Sequence, residues 1–321
     1  MLTWPVLIGV ITILALRWRG GDRPITVALI GLTPLLILPL VGAAIGAWRS
    51  RSRLLRAVTA AITALFLVWM NPVSAVVGCR GDATASAITV YTANVLFDVG
   101  QPSDIASSIL ANDADIILLQ EVRSGFVADL EADPRLDIYP HRVGGSNASG
   151  KVIWSRWPIT DSTVDGFVVS QLLTATIDSP QGSIEVTNVH TLAPVSAGNV
   201  APWQAQFGQL GQLDTSSAQI LAGDFNATED HRPFRDLLGQ GWTDAHEPKG
   251  CGFDATWPTG NASPLPVPIY RLDHVLVTDH FEILDLRFAD PAGSDHIPVV
   301  VELQLGHGRL ESRAVEASAT S

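Results

Sequence analysis

Cysteine is nearly absent: Cys79 and Cys251 are the two in 321 residues, and their separation excludes a CxxC zinc or redox motif. They read as unrelated thiols, since a disulfide would need an oxidising compartment and a fold that joins them. Charge is also sparse, at 16% of residues, and a mean hydropathy of +0.26 means that apolar residues are concentrated somewhere. Basic side chains are the scarcest: residues 81–305 hold ten Lys or Arg against 29 Asp or Glu, a formal charge of −19. Affinity for a polyanion comes mainly from Lys and Arg, so this balance opposes tight nucleic-acid binding. No internal repeat is visible.

What the chain has in excess lies at its N-terminus. Three runs, Leu2–Leu16, Ile25–Trp48 and Ala57–Gly78, contain no charged residue. The second and third reach the roughly 20 residues that cross a bilayer. The first is short, but it has neither a basic n-region nor a small-x-small cleavage site, so it reads as a span rather than a signal peptide. Arg49, Arg51, Arg53 and Arg56 follow the second run without an acid, whereas Arg17, Arg19 and Arg23 are offset by Asp22. The positive-inside rule then holds the second loop in the cytoplasm and exports the C-terminus, with either two or three spans. Pro34, Pro39 and Pro72 are tolerable in membrane helices, and spans without charge suggest an anchor rather than an ion path. The expected organisation is a multi-pass anchor over 1–79 (spans about 2–16, 25–48 and 57–78), a linker over 80–87, a domain over 88–305 and a disordered tail over 306–321.

Within the domain, strand patterns at Ile88–Ala93, Asp115–Gln120, Lys151–Ser155, Leu172–Asp178, Ser183–His190, Ala218–Ala222, Asp273–Val277 and Val299–Gln304 alternate with helical ones. Pro102–Asn112 reads as a helix capped by Ser103 or Asp104. Ser179-Pro-Gln-Gly182 reads as a hairpin turn. Hairpins mixed with helical crossovers predict an α/β sandwich rather than a purely parallel sheet.

Polar, titratable residues fall at the ends of these strands, where an α/β architecture places its site. The places are Thr92-Ala-Asn94, Leu119-Gln-Glu121, Asn188-Val-His190, Gly223-Asp224-Phe-Asn226, and the closing pair Tyr270-Arg-Leu-Asp273-His and Ser294-Asp295-His296. Singly each is weak, because a lone strand-end Glu or His is more often a capping or surface residue. Their coincidence is informative. At these residues the chain resembles the endonuclease/exonuclease/phosphatase superfamily of deoxyribonuclease-I-like fold, over about residues 88–305. Lys151-Val-Ile-Trp-Ser155-Arg156-Trp-Pro158 is similar to that family's "ILSRYP" strand and departs from it at Trp154. Membrane-anchored bacterial members, including a type associated with glycopeptide-antibiotic resistance, are similar in carrying a few N-terminal spans.

The resemblance implies a four-layer α/β sandwich of two mixed β-sheets flanked by helices, here preceded by a bundle of three transmembrane helices. It also implies phosphoester hydrolysis, which needs a polarised phosphorus, an activated water and charge relief on the leaving oxygen. Glu121 offers a hard oxygen suited to Mg²⁺ (or Mn²⁺), helped by Asp295 directly or through water. Asp224 would deprotonate the water, Asn226 and Asn94 would hold phosphate oxygens, and His296, oriented by Asp273, would donate to the phosphorane. His190 resembles the second histidine of the nuclease and sphingomyelinase branches, a phosphate contact or leaving-group acid. Blander readings go to Asp98 (a turn), to His141, His231, His246, His280 and His307 (surface), and to Trp203, Trp242 and Trp257 (loop packing). Asn147-Ala-Ser149 and Asn261-Ala-Ser263 fit a glycosylation pattern that matters only in a eukaryotic secretory pathway. The expected function is a membrane-anchored, metal-dependent phosphoesterase acting on a phosphorylated small molecule or lipid head group. An extracytoplasmic nuclease is the alternative, and a catalytically inactive binding module is a third.

Overall fold

The computed structural model describes residues 3–70, 87–97, 100–145, 148–249, 254–260 and 267–306. Both cysteines, Asp98, Asn147, Asn261, His307, the end of the third apolar run, nearly all of the expected linker and almost all of the expected tail lie outside the described residues.

The N-terminal region folds as helices α1 (Thr3–Arg19), α2 (Pro24–Gly31), α3 (Ile37–Arg49) and α4 (Arg53–Met70). Leu7, Val10, Leu40, Ala43, Ala47 and Phe66 form a core shared by α1, α3 and α4. Gly46 of α3 lies so close to Thr3 that a Cβ would stand 2.5 Å from the threonine hydroxyl, which sets the start of α1 beside the end of α3. The run expected as one span over 25–48 is broken after α2, where a 3₁₀ turn (Thr33–Leu36) bends the chain by 66°. Pro34 lacks the N–H that would continue the helix, and the Thr33 hydroxyl donates to the Ile30 carbonyl instead. Among the described residues no single helix is long and apolar enough to cross a membrane, although the bent pair Pro24–Gly31 and Thr33–Arg49 is so by length and composition.

The domain runs β1 (Ile88–Asn94), α5 (Pro102–Ala111), β2 (Ile116–Gln120), α6 (Ser124–Glu131), β3 (His141–Gly145), β4 (Lys151–Ser155), β5 (Ile159–Phe167), β6 (Ser170–Ser179), β7 (Gly182–His190), α7 (Ala197–Leu210), β8 (Gln219–Asp224), α8 (Arg232–Leu238), β9 (Thr243–Asp244), α9 (His246–Lys249), β10 (Asp273–Val277), β11 (Phe281–Phe288) and β12 (Val299–Leu305). Two six-stranded mixed sheets result, ordered β11-β12-β1-β2-β4-β3 and β5-β6-β7-β8-β10-β9. Central strands such as β2 are apolar on both faces, without polar–apolar alternation, because each sheet is covered twice. Their inner faces, with Val90, Ile153, Val186, Ile220 and Val275, pack against each other. The outer faces are covered by α5 and α6 on one side and by α7 and α8 on the other. Every strand expected from sequence is present, while the edge strands β3, β5, β9 and β11 were hidden by glycines, polar residues or brevity. The cap of α5 differs from expectation: Gln101 is the N-cap with no side-chain bond, and Pro102 at the first position already removes one orphan N–H.

Each sheet has one parallel pair, β1 with β2 and β7 with β8, so the C-terminal ends of four strands converge at one end of the sandwich. Gly223 is required there. Its φ of +147° and the approach of the Val189 carbonyl, 1.9 Å from where a Cβ would stand, exclude any side chain.

Helix α2 docks on that same end. Val27 is buried with Trp203, Phe207 and Phe234 in the domain's outer core. Arg17 pairs with the buried Asp230, and Arg235 donates to the Arg17 carbonyl. His231 is buried, not at the surface as its isolation in sequence suggested. Its Nδ1 accepts from Thr228 N–H at 2.8 Å, which leaves Nε2–H to donate to the Val27 carbonyl at 2.9 Å. Burial pushes its pKa down to about 4, so the ring docks in its neutral form. Arg17→Ala strands the Asp230 carboxylate, and breaking a buried pair costs about 3–5 kcal/mol. The melting temperature should fall by roughly 10 °C, and the double variant Arg17→Ala/Asp230→Ala should lose less than the two single losses combined.

Candidate active site

All eight residues singled out from the sequence meet at the converged strand ends. Asn94 closes β1, Glu121 follows β2, His190 closes β7, and Asp224 closes β8, with Asn226 two residues beyond. Asp273 opens β10 directly opposite Asp224 in the antiparallel ladder. Asp295 and His296 come from the turn before β12. Glu121 and Asn226 hold left-handed backbones, with φ of 59° and 45°, a strain that persists only where the surroundings over-determine it.

Asn94 links the two sheets. Its side-chain amide donates to Glu121 Oε1 at 2.9 Å and to Asp224 Oδ2 at 3.1 Å, and the Ser294 hydroxyl donates to its backbone carbonyl at 2.6 Å. Asp224 is held further by the backbone N–H of Asn226 at 2.8 Å and by the Asn226 amide at 3.2 Å. His296 Nδ1 lies 2.9 Å from Asp273 Oδ2, and its Nε2 lies 3.8 Å from Asp224 and 4.0 Å from Asp295. His190 Nε2 stands 3.5 Å from Glu121 and 3.7 Å from Asp224. Below the site, Gln120 donates to Asn188 Oδ1 at 2.8 Å across the sheets.

The electrostatics divide these groups. Burial opposes charge on His296, but Asp273 and Asp224 overcome it and hold the ring's pKa up, so the imidazolium persists. Burial pushes Asp224 up despite His296 beside it. Glu121 also rises by burial, countered in part by the Asn94 amide. His190 falls, through burial and the nearby Lys151, and is neutral at pH 7. One histidine is therefore a charged donor and the other an uncharged base or ligand.

Glu121, Asp224, Asp273 and Asp295 crowd one centre, and Glu121 Oε2, Asp273 Oδ1 and Asp295 Oδ1 are buried without a hydrogen-bond partner. Such orphaned hard oxygens fit a divalent cation. Two groups have ligand atoms close enough to share one: Glu121 with His190 and Asp224, and Asp224 with Asp273 and His296. Asp295 belongs to neither group. Trp257, read from sequence as loop packing, donates its Nε1–H to Asp295 Oδ2 at 2.9 Å and packs near His296. No spacing rule could have found it, because Trp257 and Asp295 meet only through the tertiary fold. Trp203 and Trp242 are buried structural residues, Trp203 in α7 and not in a loop. Trp154 is buried in the outer core with the Arg142 guanidinium over its ring.

Fold and site together define the class of two-sheet α/β sandwich proteins with a carboxylate–imidazole centre at the strand ends. The sequence profile of the Endonuclease/Exonuclease/phosphatase family matches residues 91–296, and the chain belongs to that family, which generally hydrolyses phosphoester bonds and typically uses a divalent metal. The fold is similar to that of an endonuclease/exonuclease/phosphatase from Beutenbergia cavernae, at 22% identity and a TM-score of 0.55 over 69% of this chain and 72% of that one. A humanized D. rerio TDP2 aligns at 17% identity and a TM-score of 0.54, over 68% of this chain and 100% of that one. A Bacteroides thetaiotaomicron mannosyl-6-phosphatase aligns at 16% identity and 0.52, over 68% and 100%. No curated protein matches the sequence.

Asp224→Asn and His296→Ala should each lower kcat for phosphoester hydrolysis at least about 10²-fold, and the double variant should lose much less than the product. Activity that needs the His296 imidazolium is lost as pH rises through its raised pKa. Asp273→Asn removes the carboxylate that raises it, so the alkaline limb of the pH–rate profile should move down by about 1–3 units.

Proposed function

We propose that the protein is a membrane-anchored, metal-dependent phosphoesterase, similar to the bacterial type associated with glycopeptide resistance, which hydrolyses a phosphate mono- or diester by activated-water attack. The observation that carries this reading is the pairing of a proton-accepting Asp224 with a charged His296 across a nest of orphaned carboxylate oxygens.

Glu121, with His190 and Asp224 or with Asp295, would hold Mg²⁺ or Mn²⁺. The ion, when bound, polarises a phosphoryl oxygen and relieves charge at the leaving oxygen. Asp224 accepts the proton of the attacking water. Asn94 and Asn226 orient Asp224 and present neutral donors to the phosphate. His296, kept charged by Asp273, donates to the oxygen on which negative charge grows. His190, uncharged, contacts the phosphate or the leaving group.

The charge of −19 over residues 81–305 supports a small phosphorylated group or lipid head group over a long polyanion. The likeness in fold to a mannosyl-6-phosphatase supports a phosphomonoester, while membership of a family named for endonucleases and exonucleases keeps the nuclease alternative in view. Localisation in the cell membrane, with the catalytic domain outside the cytoplasm, is supported by three features. Apolar residues such as Ile8, Ile11, Leu38, Val41 and Ile45 are exposed on α1 and α3. Exposed Trp4 and Trp48 lie at one end of the helix bundle and Trp18 at the other, as aromatic belts do. Arg49, Arg51, Arg53 and Arg56 lie at the end away from the domain, while Arg17 and Gly21 of the first loop contact it.

Chelation should abolish hydrolysis, Mg²⁺ or Mn²⁺ should restore it, and Glu121→Gln should raise the metal concentration needed. An unchanged metal response in that variant would remove Glu121 from the site. Alkaline phosphatase fused after Gly306 should be active; a silent fusion beside a fluorescent GFP fusion at the same position would overturn the topology.

A further inference from the structure

Large apolar side chains that remain exposed on the described part of the domain are few: Phe97, Ile138, Val164, Val168, Val169, Val195 and Val267. Five of the seven lie on four loops at one end of the sandwich. Phe97 follows β1, and its N–H donates to the Glu121 carbonyl. Val168 and Val169 form the tip of the β5–β6 hairpin, and β6 leaves that tip to set Leu173 opposite Asn188, two residues before His190. Val195 sits in the loop after β7, and Val267 in the loop that leads to β10. This is the end that carries the candidate catalytic groups, so the exposed apolar loop residues share it with the site. Their exposure is high, 78% for Val195, 63% for Val169 and 48% for Phe97. Leu96, Phe97 and Val168 also hold left-handed backbones, φ 51°, 45° and 53°, a conformation that costs a β-branched or bulky residue energy.

Clustered exposed apolar groups mark an interaction surface, and the occupant follows from what adjoins it. Helix α2 docks on the same end, through Val27, through His231 in the loop after β8, and through the Tyr270 hydroxyl, which donates to the Ala28 carbonyl at 3.3 Å. Tyr270 in turn packs on Trp257, the tryptophan bonded to Asp295. Trp18 is exposed at the end of α1 nearest the domain, where an anchored bundle would place an interfacial tryptophan. The surface around the site is therefore continuous with the end of the helices. The formal charge of −19 over residues 81–305 gives the domain as a whole no attraction to anionic lipid, and apolar contact would supply the attachment.

Resting on the membrane-anchored phosphoesterase reading, we propose that the catalytic end of the sandwich is seated on the bilayer that holds its helices, with Phe97, Val168, Val169, Val195 and Val267 dipping into the surface. The substrate is then a phosphorylated lipid, taken by its head group while its chain stays in the membrane.

The test uses the full-length protein in phosphatidylcholine vesicles, with Cys79 and Cys251 replaced by Ser. An environment-sensitive fluorophore is attached at Val169→Cys, Val195→Cys or, at the opposite end, Ile138→Cys. Quenching by spin-labelled phosphatidylcholine is expected at the first two positions and not at the third. Water-like emission at all three, or shielding at Val169 and Val195 that persists in detergent through a second copy, would overturn the proposal. A second arm compares Val169→Asp/Val195→Asp with the parent. Hydrolysis of a long-chain lipid phosphate in the same vesicles should fall at least about tenfold, while hydrolysis of soluble p-nitrophenyl phosphate or its bis-ester, which also reports correct folding, stays unchanged. Equal loss on both substrates, or on neither, counts against membrane seating. A parent inactive on every phosphoester defeats the phosphoesterase reading itself, whatever the quenching reports.

Discussion

Four carboxylates brought to one point repel each other, and burial makes the repulsion stronger because less water screens it. The organisation of the domain answers that constraint. A single amide, Asn94, stands between Glu121 of one sheet and Asp224 of the other and donates to both. Its own carbonyls are engaged as well, one by Leu96 N–H and one by Ser294. The His296 imidazolium neutralises part of the charge, and the orphaned oxygens leave the remainder to a cation. Without these donors, burial would push Asp224 and Glu121 further toward their neutral, protonated forms.

Much of this was legible in the sequence, for a physical reason. Residues that must sit at strand ends are fixed in register by the strand that precedes them, so Glu121, His190 and Asp224 could be located as soon as the apolar runs before them were read. The Asp273–His296 pair followed from the resemblance. What could not be read was whatever depends on approach between distant segments. Trp257 meets Asp295, and His231 meets Val27, across gaps in sequence that carry no periodicity. Edge strands such as β3, which ends in Gly144-Gly145, lack the burial that writes a pattern into a strand.

The N-terminal helices are the larger departure. Continuous apolar character over 25–48 suggested a plain span, because hydropathy records how apolar a stretch is and not what it packs against. Val27 is as apolar as a lipid-facing residue, yet it belongs to the outer core of the α/β domain. A stretch that contributes to the core of the domain cannot be cut away as a tether. The orientation of the domain is thereby set by packing rather than by the slack of a linker.

The placement of the parallel pairs carries a further meaning. Asn94 and Glu121 are made early in the chain, His190 and Asp224 much later, and Asp273 and His296 close to the end. A chain synthesised only as far as β4 holds four of the six strands of the first sheet and has neither Asp224 nor His296. The full set of eight residues is present only once the chain has passed the turn before β12, the strand that pairs with β1. The candidate site is thus the last feature the chain can complete, and an unfinished chain holds only part of it.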